Sequence, residues 1–295
     1  QCVVVTPGSS GGFIVSFLTC FDKGDRVAVP APGYPCYRNI LKSLDLDAVD
    51  VEISPDNNYL LMPADLEKLD PPVKGVIVSS PGNPTGSMYS EQQLKELVEY
   101  CQANDIAFIS DEIYHGISFG KPAVSALQFS DNLIVVNSFS KYFTMTGWRI
   151  GWLVVPKEMV RPIERLIQNL LISTTTLSQL GAVEAFKCYD EFDGYVEQYK
   201  AKRDLLYKRL TEAGLNKISS PDGAFYLYAD ISHLTDDSVA FCQRILNEIH
   251  VAVTPGVDFD PVRGKQTMRF SYAADMDSID EASKRLKTWF MALPL

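Results

Sequence analysis

Short β-branched apolar runs recur through the first half of the chain, at residues 3–5, 26–29, 48–53, 74–78, 106–110, 133–136 and 150–155. Between most of them, apolar positions fall at helical spacing, over residues 12–21, 35–44 and 90–104. Apolar strands alternating with amphipathic helices predict an α/β fold with a mostly parallel seven-stranded sheet covered by helices. After Pro156 the pattern changes to long helical segments at 157–171, 178–189 and 192–213. A turn at Pro221-Asp222-Gly223 follows, then a strand over 224–231 and a helix over 238–248. Two short strands within 251–256 and 267–273 precede a closing helix over 278–291, with Ser278 as N-cap and Glu281 three residues on. This second half predicts a smaller C-terminal α+β unit.

Composition narrows the class. The 295 residues are 46% hydrophobic and 22% charged, ordinary for a globular protein. No apolar run approaches the ~20 residues of a membrane helix. A net charge of −10 without a basic cluster argues against a nucleic-acid partner. The six cysteines form no C-x-x-C pair and the chain has only three histidines. Neither a metal site nor a disulfide framework is expected, and the compartment is read as reducing, most simply the cytoplasm. The opening QCVVVTPG lacks an initiator methionine and starts inside a strand, so a missing N-terminal piece is expected.

Chemistry-bearing residues gather just after the strands. Ser9 and Ser10, in TPGSSGGF, sit where a strand passes into a helix, and the N–H groups there favour an anion; the plain alternative is a flexible turn. Tyr34 follows another strand in PAPGYPCY. Asn83 is bracketed by prolines in SSPGNPTG, and Asp111 and Tyr114 follow the apolar IAFI. Ligands of open α/β sheets bind outside the carboxyl ends of the strands. A buried Asp111 needs a cationic partner there. SFSKYFTMTGWRIGW places Ser138, Lys141 and Arg149 together. The set describes one ligand, an aromatic cation with a phosphate tail. Asp111 pairs with a ring N–H⁺, Asn83 and Tyr114 bond a ring oxygen, and Tyr34 stacks on its face. Ser9, Ser10 and Arg149 hold the phosphate, and Lys141 is the covalent tether, made nucleophilic by a lowered pKa.

GSSGG, PGYP, PGNPTG, DEIY, SFSK…TGWRIGW, PGVDF and MRFSYA occur in that order over nearly the whole chain. The chain thereby resembles the class I/II aminotransferases, fold-type I pyridoxal-phosphate enzymes of the aspartate aminotransferase superfamily. The resemblance implies pyridoxal 5′-phosphate as cofactor, with Lys141, Asp111 and Tyr114 as the catalytic residues. It adds Ser138 to the phosphate contacts, and assigns substrate binding to Asn83 and Arg269, the latter gripping the α-carboxylate. It also implies ping-pong exchange between an L-amino acid and a 2-oxo acid, with Lys141 shuttling the proton. A homodimer is implied, with a large unit over 1–190 and a small one over 191–295.

Two departures follow. In dicarboxylate-specific members a further arginine of the neighbouring subunit, some way after the lysine, grips the side-chain carboxylate, though several relatives bind dicarboxylates otherwise. LLISTTTLSQ, residues 170–179, holds no basic residue. Neutral, aliphatic or aromatic amino acids are at least equally expected. The family's N-terminal arm is also expected to be missing, leaving the site more open and the dimer weakened. C–S β-elimination, ligand sensing and a non-catalytic fragment stay open as alternatives.

Overall fold

The computed structural model describes residues 2–293; Gln1 and residues 294–295, at the outer limits of the two expected units, lie outside the described residues. β1 (Val3–Thr6) leads into α1 (Gly8–Cys20), and β2 (Arg26–Ala31) into α2 (Pro35–Ser43). β3 (Asp47–Glu52) and the single-turn α3 (Pro63–Leu66) precede β4 (Gly75–Ser79) and α4 (Glu91–Ala103). β5 (Ala107–Asp111), β6 (Ile134–Ser138) and β7 (Gly151–Val154) complete the first sheet. α5 (Lys157–Leu170), α6 (Thr176–Ala185) and α7 (Tyr189–Glu212) come next. β8 (Tyr226–Asp230), α8 (Ser238–Ile249), β9 (Thr254–Pro255), β10 (Thr267–Ser271) and α9 (Met276–Met291) close the chain.

The large sheet has seven strands in the order β1-β7-β6-β5-β4-β2-β3. Only β7 is antiparallel to its neighbours. The carboxyl ends of the other strands therefore share one edge, and the entrance to β7 lies there too. Side-chain alternation sorts the strands into two cores. Val27, Val29, Ile77, Ile109 and Val136 pack with α1, α2 and α5 on one face. Ala28, Val76, Val78, Phe108 and Val135 pack with α3 and α4 on the other. Sheets buried on both faces need strands without a polar stripe, which is why these runs read as continuous. The small antiparallel sheet, β8-β10-β9, shares its core with α7, α8 and α9.

Element ends moved where tertiary contacts outweigh local propensity. α1 begins at Gly8 rather than residue 12, despite the poor helix-forming character of GSSGG. A Cβ at Gly12 would stand 3.0 Å from Leu153, so the helix lies directly on the sheet. The gap expected between helices ending at 189 and starting at 192 falls at Phe186–Cys188, since α7 starts at Tyr189. α9 is capped by Asp275, whose carboxylate accepts from the Ser278 N–H at 2.8 Å, rather than by Ser278 itself. α4 carries its capping box, with Ser90 Oγ accepting from Gln93 N at 3.3 Å and Gln93 Oε1 accepting from Ser90 N at 3.0 Å. Of residues 251–256, only Thr254 and Pro255 pair in the sheet.

Candidate active site

A cavity of about 200 Å³ opens at the shared edge, bounded on its far side by the small sheet. The end of β1 supplies Ser9 and Ser10, and the end of β2 supplies Tyr34 and Tyr37. Asn83 follows β4; Asp111 closes β5, with Tyr114 just beyond. Ser140, Lys141 and Thr146 follow β6, and Arg149 precedes β7. Tyr226 of β8 and Arg269 of β10 reach in from the small sheet. Every expected site residue except Ser138 lines this cavity.

Ser138 lies behind the wall because it ends β6. Its hydroxyl donates to the Ile150 carbonyl at 3.2 Å and accepts from the Ser140 N–H at 3.1 Å. Ser140 faces the cavity in its place, with its Oγ 3.4 Å from Arg149 Nη1. Arg149 also donates to the Thr146 carbonyl at 2.9 Å, which holds its guanidinium beside the start of α1. Gly8 has φ +75°, and a Cβ there would collide with the Arg149 guanidinium. A Cβ at Gly151 would stand 3.0 Å from the Ser9 N and 2.7 Å from the Asn137 carbonyl oxygen. Both glycines therefore allow two chain segments to meet around one small space. No side chain caps α1, and its first turn holds no acidic residue. Free N–H groups, hydroxyls and a guanidinium form an anion cradle.

Asp111 is 1% exposed. Tyr37 donates to its Oδ2 and the Ile113 N–H to its Oδ1, the latter at 3.2 Å. Burial nevertheless pushes its carboxyl up to about 7, against the pull of both donors and of Lys141. A cationic ring N–H is what such a carboxylate needs to stay ionised. Lys141 Nζ lies 5.6 Å from the Tyr114 ring centroid and 5.6 Å from that of Phe225. Burial lowers its pKa; Asp111 opposes this, and Arg269 and Arg149 add to it.

Arg269 Nη1 donates to Asn83 Oδ1 at 2.8 Å and Nη2 to Thr254 Oγ1 at 3.3 Å. Its guanidinium carbon stands 4.4 Å from the Tyr226 ring centroid and 4.6 Å from that of Phe259. Its buried Nε has no partner among the described residues. Tyr114 and Tyr226 meet through their hydroxyls at 2.9 Å. Tyr34 meets Tyr37 edge to face, with ring centroids 5.4 Å apart. Tyr37, Ser140 and Tyr226 are the lining residues that motif reading missed. Tyr37 carried a weak signal, three residues after Tyr34 on one helix face. Tyr226 carried none beyond strand alternation in AFYLYAD.

An anion cradle, a buried carboxylate, a lysine whose charge burial disfavours and an arginine with an unpartnered N–H fit a phosphorylated, cationic aromatic cofactor together with a carboxylate substrate. The family model for class I and II aminotransferases matches residues 1–286. The valine–pyruvate aminotransferase of Mycobacterium tuberculosis is 46% identical over 293 residues, covering 98% of this chain and 76% of the relative. Among solved structures, an aminotransferase from Mycobacterium tuberculosis superposes with a TM-score of 0.97 at 45% identity, over 99% of this chain and 76% of the other. The Thermus thermophilus aspartate aminotransferase with maleate gives 0.89 at 31% identity, over 97% and 75%. These relatives are named for amino-group transfer, not for β-elimination or ligand sensing. The chain belongs to the class I and II aminotransferases, as a pyridoxal-phosphate-dependent enzyme of fold type I.

Proposed function

We propose that the enzyme transfers the amino group of a neutral L-amino acid to a 2-oxo acid in two half-reactions with ping-pong kinetics. The observation that carries the substrate class is the count of cations at the cavity. Among the described residues lining it, the basic ones are Lys141, Arg149 and Arg269. Arg149 is committed to the anion cradle with Ser9, Ser10 and Ser140. Arg269 presents a rigid fork for the α-carboxylate, with Asn83 fixing its orientation. Lys141 is the base, so among the described residues this subunit's own lining offers no further cation to a second carboxylate, which supports a neutral donor.

Pyridoxal phosphate, when bound, supplies the carbonyl that takes the amino group and a ring that draws electrons from the substrate Cα. The chain's own residues supply the rest. Asp111 would keep a ring N–H⁺ charged, Tyr114 and Asn83 would donate to the ring oxygen, and Tyr34 would cover the ring face. Lys141 Nζ, its pKa lowered by burial and, against the pull of Asp111, by Arg269 and Arg149, is the group that takes the proton from Cα.

Initial rates with valine or alanine as donor, over a grid of 2-oxo acid concentrations, test both parts. Parallel double-reciprocal lines and a higher kcat/KM for neutral donors than for aspartate are expected; converging lines or an aspartate preference would sink the reading.

Three coarser expectations join it. The division near residue 190 is supported by the start of α7 at Tyr189, which lies in the chain between the last strand of the large sheet and the first of the small one. A homodimer is supported by the exposed Leu177, Leu180 and Val183 on α6, beside Val3 and Val5 of the edge strand β1. A reducing, cytoplasmic compartment is supported by all six cysteines being free thiols. No helix among the described residues is long and apolar enough to cross a membrane.

A further inference from the structure

Tyr226 belongs to none of the motifs, yet it touches both halves of the site. It sits on β8, where it pairs in register with Ser271 of β10. Its ring lies against the Arg269 guanidinium, 4.4 Å from centroid to carbon. Its hydroxyl is 2.9 Å from that of Tyr114, which belongs to the large sheet's edge. Both tyrosines are buried.

We infer that Tyr226 is a positioning residue that donates its hydroxyl proton to Tyr114 Oη, directing the single Tyr114 proton into the cavity, while its ring fixes Arg269 for the substrate carboxylate. The inference rests on the reading that Tyr114 faces the cofactor's ring oxygen.

Proton counting sets the direction. Two phenols facing each other hold two protons, and only one can lie between the oxygens. Neither hydroxyl has another protein partner among the described residues. If Tyr114 donated to Tyr226, no proton on Tyr114 would remain for the ring oxygen, and the Tyr226 proton would have no protein acceptor among the described residues. With Tyr226 as donor, the chain of hydrogen bonds runs outward and ends on the ring oxygen. Charge favours the same order. Burial raises both phenols; next to it, Arg269 makes Tyr226 more acidic, whereas Tyr226 and Asp111 make Tyr114 less so, with Arg269 as the last and opposing influence there. The more acidic phenol is the better donor, and a phenol that accepts a hydrogen bond donates its own more strongly. Tyr226 thus joins carboxylate recognition to the hydrogen bond on the ring oxygen, across two sheets and 112 residues of sequence.

The test uses the holoenzyme with Tyr226→Phe, Tyr114→Phe, the double variant and Tyr226→Leu. The pH midpoint of the visible absorption band of the lysine-bound cofactor is read by titration. A donor to the ring oxygen favours its deprotonated form, so Tyr114→Phe should raise the midpoint. Tyr226→Phe should raise it too, by roughly a third of that shift or less. The double variant should match Tyr114→Phe, since the relay has one outlet. KM for the amino acid should stay near wild type in Tyr226→Phe, which keeps the ring, and rise several-fold in Tyr226→Leu. A midpoint unmoved by Tyr226→Phe but moved by Tyr114→Phe would overturn the relay and leave the proposed function standing. Additive shifts in the double variant, or a loss of thermal stability in Tyr226→Phe with no change of midpoint, would also overturn it. If neither phenylalanine variant moves the midpoint, the placement of Tyr114 on the ring oxygen fails, and the relay with it.

Discussion

Arg269 is held on four sides, by Asn83, Thr254 and the rings of Tyr226 and Phe259. A lysine at this position keeps the charge but not the planar fork or the stacking. Arg269→Lys should lower kcat/KM for the amino donor about 10- to 100-fold, taking hydrogen bonds to charged groups at about 1.5–3 kcal/mol. Steady-state kinetics would show this mostly in KM, with the cofactor band intact. Asp111 carries a second prediction. Its carboxyl rises from the ordinary 3.8 to about 7 in the fold, so the folded cofactor-free chain binds more protons than the unfolded chain within that window. Stability from this group is present below the lower value and is lost as pH rises through about 7. The melting temperature of the cofactor-free protein should fall across that window, and Asp111→Asn should flatten the fall. Lys141, Asp111, Asn83 and Arg149 were legible because each lies at or within four residues of the end or start of an apolar strand, where a polar residue stands out. Tyr37 and Tyr226 were not, because a buried tyrosine in an apolar stretch looks like core until its hydroxyl's partner is known.

Among the elements, the strands were far more legible than the helix ends. All seven runs of the large sheet became strands; two-sided burial leaves the central ones without a polar interruption, while the edge strands β1 and β3 are partly exposed. The start of α1 was missed because five small residues carry no hydrophobic period; their helical form is imposed by contact with β6 and β7. That contact also makes Gly8 sensitive. Its φ of +75° strains any L side chain, and a Cβ there displaces Arg149. Gly8→Ala should therefore cost about 1–2 kcal/mol in stability. It should also weaken cofactor affinity beyond what that loss explains, as fluorescence titration of the cofactor would show. Equal affinity in the variant would mean that Arg149 does not need its present seat.

At the scale of the whole molecule, strand order was beyond the sequence pattern. Nothing in residues 150–155 says that β7 alone runs against its neighbours, yet that reversal puts Arg149 at the same edge as Lys141. Quaternary structure is equally a matter of surfaces. α6 exposes Leu177, Leu180 and Val183 at 73%, 61% and 59%, an apolar face beside Val3 at 57%. Such a face is costly in water, which supports the proposed dimer. Leu180→Lys with Val183→Lys should halve the mass measured by light scattering while leaving the fold intact by circular dichroism. An unchanged mass would remove α6 from the interface.

The outermost strand of the large sheet bears on how the enzyme wears out. β1 is held by β7 alone through four paired residues, and it carries the anion cradle directly at its end. Fraying of that edge and release of the cofactor are therefore one linked equilibrium rather than two events. Cofactor in excess should slow amide hydrogen exchange along Val3–Thr6 more than anywhere in the sheet's centre, and prolonged cofactor depletion should expose the same edge first to proteases. The cofactor then acts as a clasp on the border of the fold, and its supply sets the lifetime of the protein as well as its turnover.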